Sequence, residues 1–228
     1  MKARIVYFVF FGLFTSATPA LGGSCFRFPN DGGRVSFQVE GANIGSSAHF
    51  KFEFKTKQSD GILYYAEGPY HKERVYDYEG LFLRDGVVHY FLFNPAEYSI
   101  GSTFGFHGHS PSDEKLNDGK WHKVEFFRNI RREVLSADGT RELTSRTGLV
   151  VDGLTVAVDD GERRGVDIRP PFILGDDPHL SDRSSNTIGQ FRGNIKDFEE
   201  VISGASLTET LTNVTHCIST EFRPPDAV

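Results

Sequence analysis

The sequence predicts an all-β protein, an antiparallel sandwich of two sheets built from ten or more short strands. Apolar and polar residues alternate with a period of two through most of the chain, which is typical of half-buried strands. Helical periodicity is nearly absent, and the chain's 21 Phe and 8 Tyr residues favour strands. No change in composition divides the 228 residues, so we expect a single domain.

The strands are assigned in chain order from this alternation and from the turns between them. The pairs Asp85-Gly86, Asp118-Gly119 and Asp152-Gly153 favour tight hairpins, because both residue types tolerate a positive φ. The predicted strands are 35–39, 48–54, 62–65, 80–83, 87–93, 121–127, 154–158, 172–174 and 190–198.

The segments between these strands are predicted to be loops or single turns. Residues 95–98 and 208–211 could each form one helical turn. The stretch 99–120 contains three glycines before Pro111 and further turn residues, and it is predicted to be a long loop. Loops of that length in compact domains are usually functional or mobile.

The N-terminus has the pattern of a secretory signal. Lys2 and Arg4 precede an apolar run at 5–14 and small residues near position 20. We assign 1–22 as a signal peptide, which predicts a secreted, extracellular protein. No other stretch is long and apolar enough for a membrane helix, so no membrane insertion is expected.

Two cysteines remain in the secreted chain, Cys25 and Cys217, one near each end. In an oxidising compartment they are predicted to form a disulfide, which requires the two ends to lie side by side. Two free thiols, or pairing with another chain, are the alternatives. Asn213 begins an Asn-Val-Thr acceptor sequence and is a candidate for glycosylation at the surface.

The charge of the chain excludes one class of partner. There are 25 basic and 31 acidic residues, which gives a net charge of −6, and nucleic-acid binding depends on a basic surface. Five arginines form two clusters that could bind a sulfated or phosphorylated glycan, although solvated turns facing acids are favoured. They are Arg128, Arg131, Arg132, Arg163 and Arg164. His107 and His109 could chelate a transition metal, but no third ligand is evident and exposed loop histidines are favoured.

Five segments occur in an order that identifies a family. They are 55–65, 81–86, 116–124 with its Asp-Gly-Lys-Trp-His stretch, 151–153 and 191–195. This succession resembles the laminin G-like domain, also called the laminin/neurexin/sex-hormone-binding-globulin domain, and the neurexin type most closely. The resemblance covers the secreted chain, so we assign 23–220 to the domain and 221–228 to a C-terminal tail.

The resemblance implies a jelly-roll sandwich that acts as a recognition module and holds one calcium ion among the loops at its edge. By position, the implied calcium ligands are the side chains of Asp77 and Asp167 and the backbone carbonyls of Asn94 and Gly165. Calcium prefers such oxygen ligands, and irregular glycine-containing loops leave carbonyls free to supply them. The alternative is that both aspartates are ordinary solvated loop residues. The resemblance also implies that Trp121 is a buried core residue.

The sequence contains no constellation typical of catalysis, so we predict that the protein is not an enzyme. The Gly-x-Ser-x-Gly, His-Glu-x-x-His and phosphate-cradling glycine patterns are all absent. The favoured function is calcium-dependent recognition of an extracellular protein or glycan. One alternative is a carrier with a small apolar ligand between the sheets, although the many Phe residues are favoured as core. A carbohydrate-active enzyme on a lectin-like sandwich is less favoured, because no paired carboxylates alternate along one strand.

Overall fold

The computed structural model describes residues 24–40, 44–69, 77–94, 102–108, 115–135, 138–177 and 188–217, with backbone only at 102–108 and at 134. The predicted signal peptide, the C-terminal tail and the possible turn at 95–98 lie outside these ranges. Fourteen strands and no helix occur in the described part of the chain. They are β1 (Cys25–Phe28), β2 (Arg34–Val39), β3 (Ala48–Lys55), β4 (Gly61–Glu67), β5 (Tyr78–Arg84), β6 (Val87–Asn94), β7 (Ser102–Gly108), β8 (His122–Leu135), β9 (Arg141–Val151), β10 (Leu154–Asp160), β11 (Arg169–Leu174), β12 (Gly193–Glu200), β13 (Leu207–Thr212) and β14 (Thr215–His216).

The strands form two antiparallel sheets of seven strands each, which confirms the predicted sandwich. The first sheet has the order β10-β9-β8-β3-β12-β1-β14, and the second has the order β13-β2-β11-β4-β5-β6-β7. The tight hairpins predicted at Asp85-Gly86 and Asp152-Gly153 are present, since all four residues have positive φ. The turn at Asp118-Gly119 is not a tight hairpin, because β8, which follows it, pairs with β3 and β9. None of the described residues belongs to a helix that could cross a bilayer.

Aromatic rings fill the space between the sheets. The ring centroids of Phe172 and Phe198 lie 5.0 and 5.4 Å from that of Phe50, and the Tyr64 and Phe126 centroids are 4.7 Å apart. All five side chains are buried. The interpretation of the Phe excess as core is therefore correct, because the inward positions of facing strands carry these rings.

Several segments differ from the prediction, since β1, β9 and β14 were not among the predicted strands. Residues 102–108 form β7 on the edge beside β6, inside the stretch that was predicted to be a long loop. Residues 207–212 form β13 beside β2, so the helical turn predicted at 208–211 is wrong. In β13 the half-buried positions are Leu207, Glu209 and Leu211, a period of two that indicates an edge strand.

Candidate functional site

The four residues predicted to bind calcium lie at one end of the sandwich, and we call this set the rim. Asp77 immediately precedes β5 and Asn94 ends β6. Because β5 and β6 pair antiparallel with their ends in register, these two residues are neighbours. Gly165 and Asp167 lie in the connection between β10 and β11. Residues 90 positions apart in the chain therefore meet at one edge.

Short hydrogen bonds join the segments of the rim. The backbone N–H of Asp167 donates to Oδ2 of Asp77 at 2.7 Å, and Nδ2 of Asn94 donates to the Arg164 carbonyl at 2.7 Å. The N–H of Gly68 donates to the Asp77 carbonyl at 2.7 Å. A Cβ on Gly68 would lie 2.5 Å from the Asp167 carbonyl oxygen, so only glycine allows this approach.

Asp77 is a buried acid close to a second carboxylate. Burial raises the pKa of Asp77; the hydrogen bond from the Asp167 N–H opposes this rise, and the negative charge of Asp167 adds to it. Oδ1 of Asp77 accepts no hydrogen bond from the described residues. A divalent cation bound at this oxygen would offset both negative charges.

The carboxylate of Asp167 is held by Arg169 in a two-point ion pair. Nε and Nη2 of Arg169 lie 3.1 and 2.8 Å from the two carboxylate oxygens. The pair is solvent-exposed, and exposed pairs stabilise a protein by only about 0–1 kcal/mol. A cation could therefore displace Arg169 from Asp167 at small cost.

The donor set fits a hard cation more closely than a transition metal. No group of three or more His, Cys, Asp or Glu that could hold a metal occurs in the described ranges. Two carboxylates with backbone carbonyls and water are oxygen ligands of the kind that Ca²⁺ accepts. The calcium assignment of Asp77, Asn94, Gly165 and Asp167 stays a prediction, now with a shared location.

Sequence reasoning missed a buried charge network beneath the rim, and its placement of Arg128 at the surface is wrong. The Arg128 and Glu79 side chains are each 1% exposed, and Nη1 of Arg128 lies 2.6 Å from Oε2 of Glu79. The hydroxyls of Tyr64 and Tyr90 donate to Glu79 at 3.2 and 2.6 Å. Glu79 is on β5 and Arg128 is on β8, so the pair connects the two sheets.

The same network holds the loops of the rim. Nη2 of Arg128 donates to the carbonyls of Ile44 and Gly45 at 2.9 and 3.0 Å. The Gly45 carbonyl also accepts the N–H of Ile168, the residue after Asp167, at 3.0 Å. Arg128 thus connects the core to the segment that carries Asp167.

Asn129 adds a second connection, because β8 is irregular there. The β8–β9 register shifts between Phe127 and Ile130, and Asn129 has φ = +51°. Its Nδ2 donates to the carbonyls of Ser46 and Arg163, and its Oδ1 accepts the N–H of Arg163. A bulge of this kind redirects a side chain at a functional edge. The alternation of 122–127 breaks at Arg128-Asn129, and that break was the available sequence signal.

Trp121 also differs from its prediction. It is half-buried, and Nζ of Lys196 and Lys55 lie 4.8 and 5.8 Å from its ring centroid. Trp121 therefore lies under two cations at the outer face of the first sheet and is not a core residue.

The remaining arginines of the two predicted clusters have different environments. Arg131, Arg132 and Arg164 are exposed at the surface. Arg163 is largely buried and forms an ion pair with Asp159. The two clusters therefore do not form one basic surface. The side chains of His107 and His109 lie outside the described residues.

The predicted disulfide is confirmed. Cys25 and Cys217 are bonded with a Cα–Cα distance of 5.3 Å, and the N–H of Cys217 donates to the Cys25 carbonyl at 2.9 Å. Asn213 is exposed, and its Nδ2 donates to the Gly32 carbonyl at 2.6 Å. A glycosylated amide retains one N–H, so this contact is compatible with the modification, which stays a prediction.

Comparisons with known proteins agree with this architecture. Residues 54–199 match the family model described as "Laminin G domain". Laminin subunit alpha-4 of Mus musculus is 31% identical over 113 residues, which are 50% of this chain and 6% of that protein. Neurexin-4 of Drosophila melanogaster is 29% identical over 113 residues, 46% of this chain and 8% of that protein. The chain thus spans less than a tenth of the length of these relatives.

A solved structure shows the same fold. Domains LG4-5 of the mouse laminin alpha1 chain superpose with a TM-score of 0.60 at 18% identity, over 85% of this chain and 46% of that chain. The matched family model covers more than half of the sequence, including all of β4–β11. This chain belongs to the laminin G domain family.

Proposed function

We propose that this protein is an extracellular recognition module that binds one calcium ion at the rim and uses it to engage a protein or glycan partner. The family supports a binding role, and its similar proteins include laminin, neurexin and a basement membrane proteoglycan. The signal-like pattern at 1–22 and the Cys25–Cys217 disulfide support an extracellular location.

The observation that carries the proposal is the contact between Asp77 and Asp167. The buried carboxylate of Asp77 accepts a hydrogen bond from the backbone N–H of Asp167. Burial raises the pKa of Asp77, and the negative charge of the Asp167 carboxylate raises it further. Two carboxylates whose charges repel in this way are costly to ionise together unless a cation or a proton accompanies them. The exposed Arg169 pairs with Asp167, and no cationic side chain of the described residues forms an ion pair with Asp77.

Calcium at this position would fix the loops that carry the ligands. Asp77 and Asn94 belong to the ends of paired strands, whereas Gly165 and Asp167 belong to a connecting loop. A calcium ion bound by residues of both groups would join the connecting loop to the ends of the paired strands. Since Ca²⁺ accepts six to eight oxygens, positions remain for water and for oxygens of a partner.

A calcium titration of the secreted chain tests this proposal. We expect a saturable calorimetric signal and a rise in Tm on adding calcium. At a calcium concentration of a hundred times the Kd, the free energy of unfolding should rise by about 2.7 kcal/mol. Asp77→Asn should abolish both effects. Its amide oxygen can still accept the Asp167 N–H, so the fold should persist. Asp138→Asn, an exposed aspartate on the β8–β9 hairpin, is the matched control. Equal responses of the two variants, or no response of the unmodified chain, would refute the site.

The two alternative functions have less support. A carrier needs a cavity between the sheets, and aromatic rings such as those of Phe50, Phe126 and Phe198 occupy that space. An enzyme of the glycosidase type needs a pair of available acids, whereas the buried Glu79 is bound by Arg128 and two tyrosines. The absence of enzymatic activity stays a prediction.

A further inference from the structure

We propose a binding site for a small aromatic carboxylate on the outer face of the first sheet. The site is a pocket of about 280 Å³ where β3, β8, β9 and β10 lie side by side, and we call it the sheet pocket. None of the four rim residues is among the described residues that line it, and binding there requires no calcium. The proposal goes beyond the function proposed above and does not depend on it.

The floor of the sheet pocket is apolar and belongs to three strands. Phe127 of β8 is opposite Gly148 of β9, and Gly148 is opposite Val158 of β10. The neighbouring Phe126 belongs to the core, so this row faces outward, together with Val150 two residues further along β9. Phe127, Val150 and Val158 are each half-buried. Part of their apolar surface therefore remains in contact with water, and a ligand that covers it gains free energy.

The Phe127 ring is held in place from two sides. A Cβ on Gly148 would lie 2.6 Å from Cζ of Phe127 and 2.8 Å from the Ala157 carbonyl oxygen, so the end of the ring rests over the glycine. Glycine inside a strand often marks such a close approach. On the other side His49 is opposite Phe127, and the two rings pack edge to face with centroids 5.6 Å apart. The floor of the sheet pocket is thus a fixed structure.

Two arginines line one end of the sheet pocket. Arg132 is opposite Thr144, two residues from Arg146, so the two arginines are diagonal neighbours with backbones about 7–8 Å apart. Arg146 pairs with Asp160 through Nε at 2.7 Å, and its terminal nitrogens remain for another partner. Arg132 makes no hydrogen bond or ion pair with the described residues. Guanidinium groups bind carboxylates through paired N–H donors, so this end favours the acid group of a ligand.

The other end of the sheet pocket offers a hydrogen-bond acceptor, Glu125. Nζ of Lys123 lies 2.6 Å from its Oε1, and Nε2 of His49 lies 3.2 Å from its Oε2. Burial raises the pKa of Glu125, but these two partners outweigh burial and hold the pKa below its usual value. Glu125 is therefore ionised at neutral pH. A carboxylate has about four acceptor positions, so Glu125 can also accept a hydrogen bond from a ligand hydroxyl.

The rest of the same face shows that the excess of positive charge is specific to this pocket. Lys51 pairs with Glu199, and Lys196 pairs with Glu53, so these outward charges neutralise each other. Arg132 differs, because no acid of the described residues pairs with it. In a chain with net charge −6, an arginine in this position attracts an anion to the apolar floor beside it.

The order of these groups along the strands defines the ligand. Val150, the residue opposite Glu125, is four residues from Arg146 on β9, which is roughly 13 Å of extended strand. The apolar floor with the Phe127 ring lies between the two ends, and aromatic rings pack favourably on one another. The volume is near the lower end of the range for small-molecule sites, so it suits one ring with a short side chain. The ligand is therefore a ring with a carboxylate on one side and a hydroxyl on the other.

An amide NMR titration of the secreted chain with para-hydroxyphenylpropionate tests the proposal. We expect saturable shifts of backbone signals from β3, β8, β9 and β10, both in calcium and in chelator. The carboxamide of the same probe carries no charge and should bind at least tenfold more weakly, since a charged hydrogen bond contributes about tenfold. Phenylpropionate should also bind more weakly, because it has no hydroxyl to donate to Glu125. Equal binding of the carboxamide or of phenylpropionate would overturn the proposed orientation and the site with it.

Two variants of the lining and two matched controls locate the binding. Arg132→Ala removes the unpaired guanidinium and should weaken binding about tenfold, whereas Arg141→Ala on the exposed β8–β9 hairpin should not. Thr155→Trp fills the sheet pocket from the exposed edge strand β10 and should abolish binding. Thr208→Trp, at an exposed position of the edge strand β13, should bind as the unmodified chain does.

The outcomes separate the sheet pocket from the rim. Binding that survives in Asp77→Asn but is lost in Thr155→Trp supports the sheet pocket whether or not the rim binds calcium. Absence of saturable shifts overturns the proposal, as does binding that is lost in chelator or is equal in Arg132→Ala and Arg141→Ala. The dispersion of the amide signals establishes that each variant is folded.

Discussion

Replacement of Glu79 by Gln removes the negative charge that faces Arg128 while it preserves the size of the side chain. Both side chains are 1% exposed, so solvent cannot screen the cation that remains. Breaking a buried pair by removing one charge destabilises a protein by about 3–5 kcal/mol. Glu79 also accepts hydrogen bonds from two buried tyrosine hydroxyls, and Gln can accept only part of this set. We expect a loss of unfolding free energy of about 3–5 kcal/mol, and a fall in Tm of roughly 6–20 °C for a domain of this size.

Urea unfolding, followed by tryptophan fluorescence and far-UV circular dichroism, measures this loss. Glu133→Gln is the matched control, because Glu133 pairs with Arg141 on the surface, with side chains 65% and 77% exposed. The control should change the free energy by less than about 1 kcal/mol. A cost for Glu79→Gln no larger than that of the control would refute the reasoning.

A double variant separates the charge from the packing. Arg128→Met with Glu79→Gln removes both charges, and its loss should be smaller than the sum of the single losses by about 1–3 kcal/mol. Because Arg128 also holds the carbonyls of Ile44 and Gly45, Arg128→Met alone should loosen the rim. Additive losses would show that the two side chains do not stabilise each other.

Further variants test the rim, the turns and the disulfide. Arg169→Ala frees the Asp167 carboxylate and should tighten calcium binding up to about fivefold in calorimetry; weaker binding would contradict the proposed competition. Burial raises the pKa of Asp118, but hydrogen bonds from Lys120 and His122 outweigh it and hold the pKa below the usual range. Its stabilisation is therefore present above about pH 4 and lost as the pH falls further. The difference in unfolding free energy between Asp118→Asn and the unmodified chain should shrink over that range, and a constant difference would contradict this. Gly193→Ala places a Cβ against a backbone oxygen and should lower the Tm, whereas Gly139→Ala, also at positive φ but in open space, should cost less. Replacing both cysteines by Ala should cost about 2–5 kcal/mol in urea unfolding, and no loss would show that the bond is dispensable.

Much of the fold could be predicted because strand signals are local. The alternation in Ala48–Lys55 follows from side chains that point to opposite faces of a strand, and the Asp-Gly pairs follow from backbone conformation. Three of the strands that escaped prediction, β7, β13 and β14, lie at sheet edges, whereas β1 and β9 lie inside the first sheet. β13 alternates Leu with Glu and Thr, and only its pairing with β2 makes it a strand. Edge strands bury less apolar surface, so their pattern is weaker.

The candidate site was predictable only in its residue types. The family pattern selected Asp77, Asn94, Gly165 and Asp167, and the structure places them at one edge. Arg128 could not be located from the sequence, because an arginine next to Asn129 and followed by two more arginines resembles a solvated cluster. Its burial depends on Glu79, which lies 49 positions earlier on the other sheet.

By itself the sequence determined the class of fold, the family and the disulfide, because period-two alternation, turn residues and two cysteines are properties of short segments or of composition. Only the tertiary structure decided which charges are neutralised. Arg128 is buried against Glu79, whereas Arg27 and Arg192 are exposed and form no ion pair with an acid in the described part of the chain. The physical reason is that electrostatic energy depends on distance and burial, and residues far apart in the chain set both when the sheets assemble.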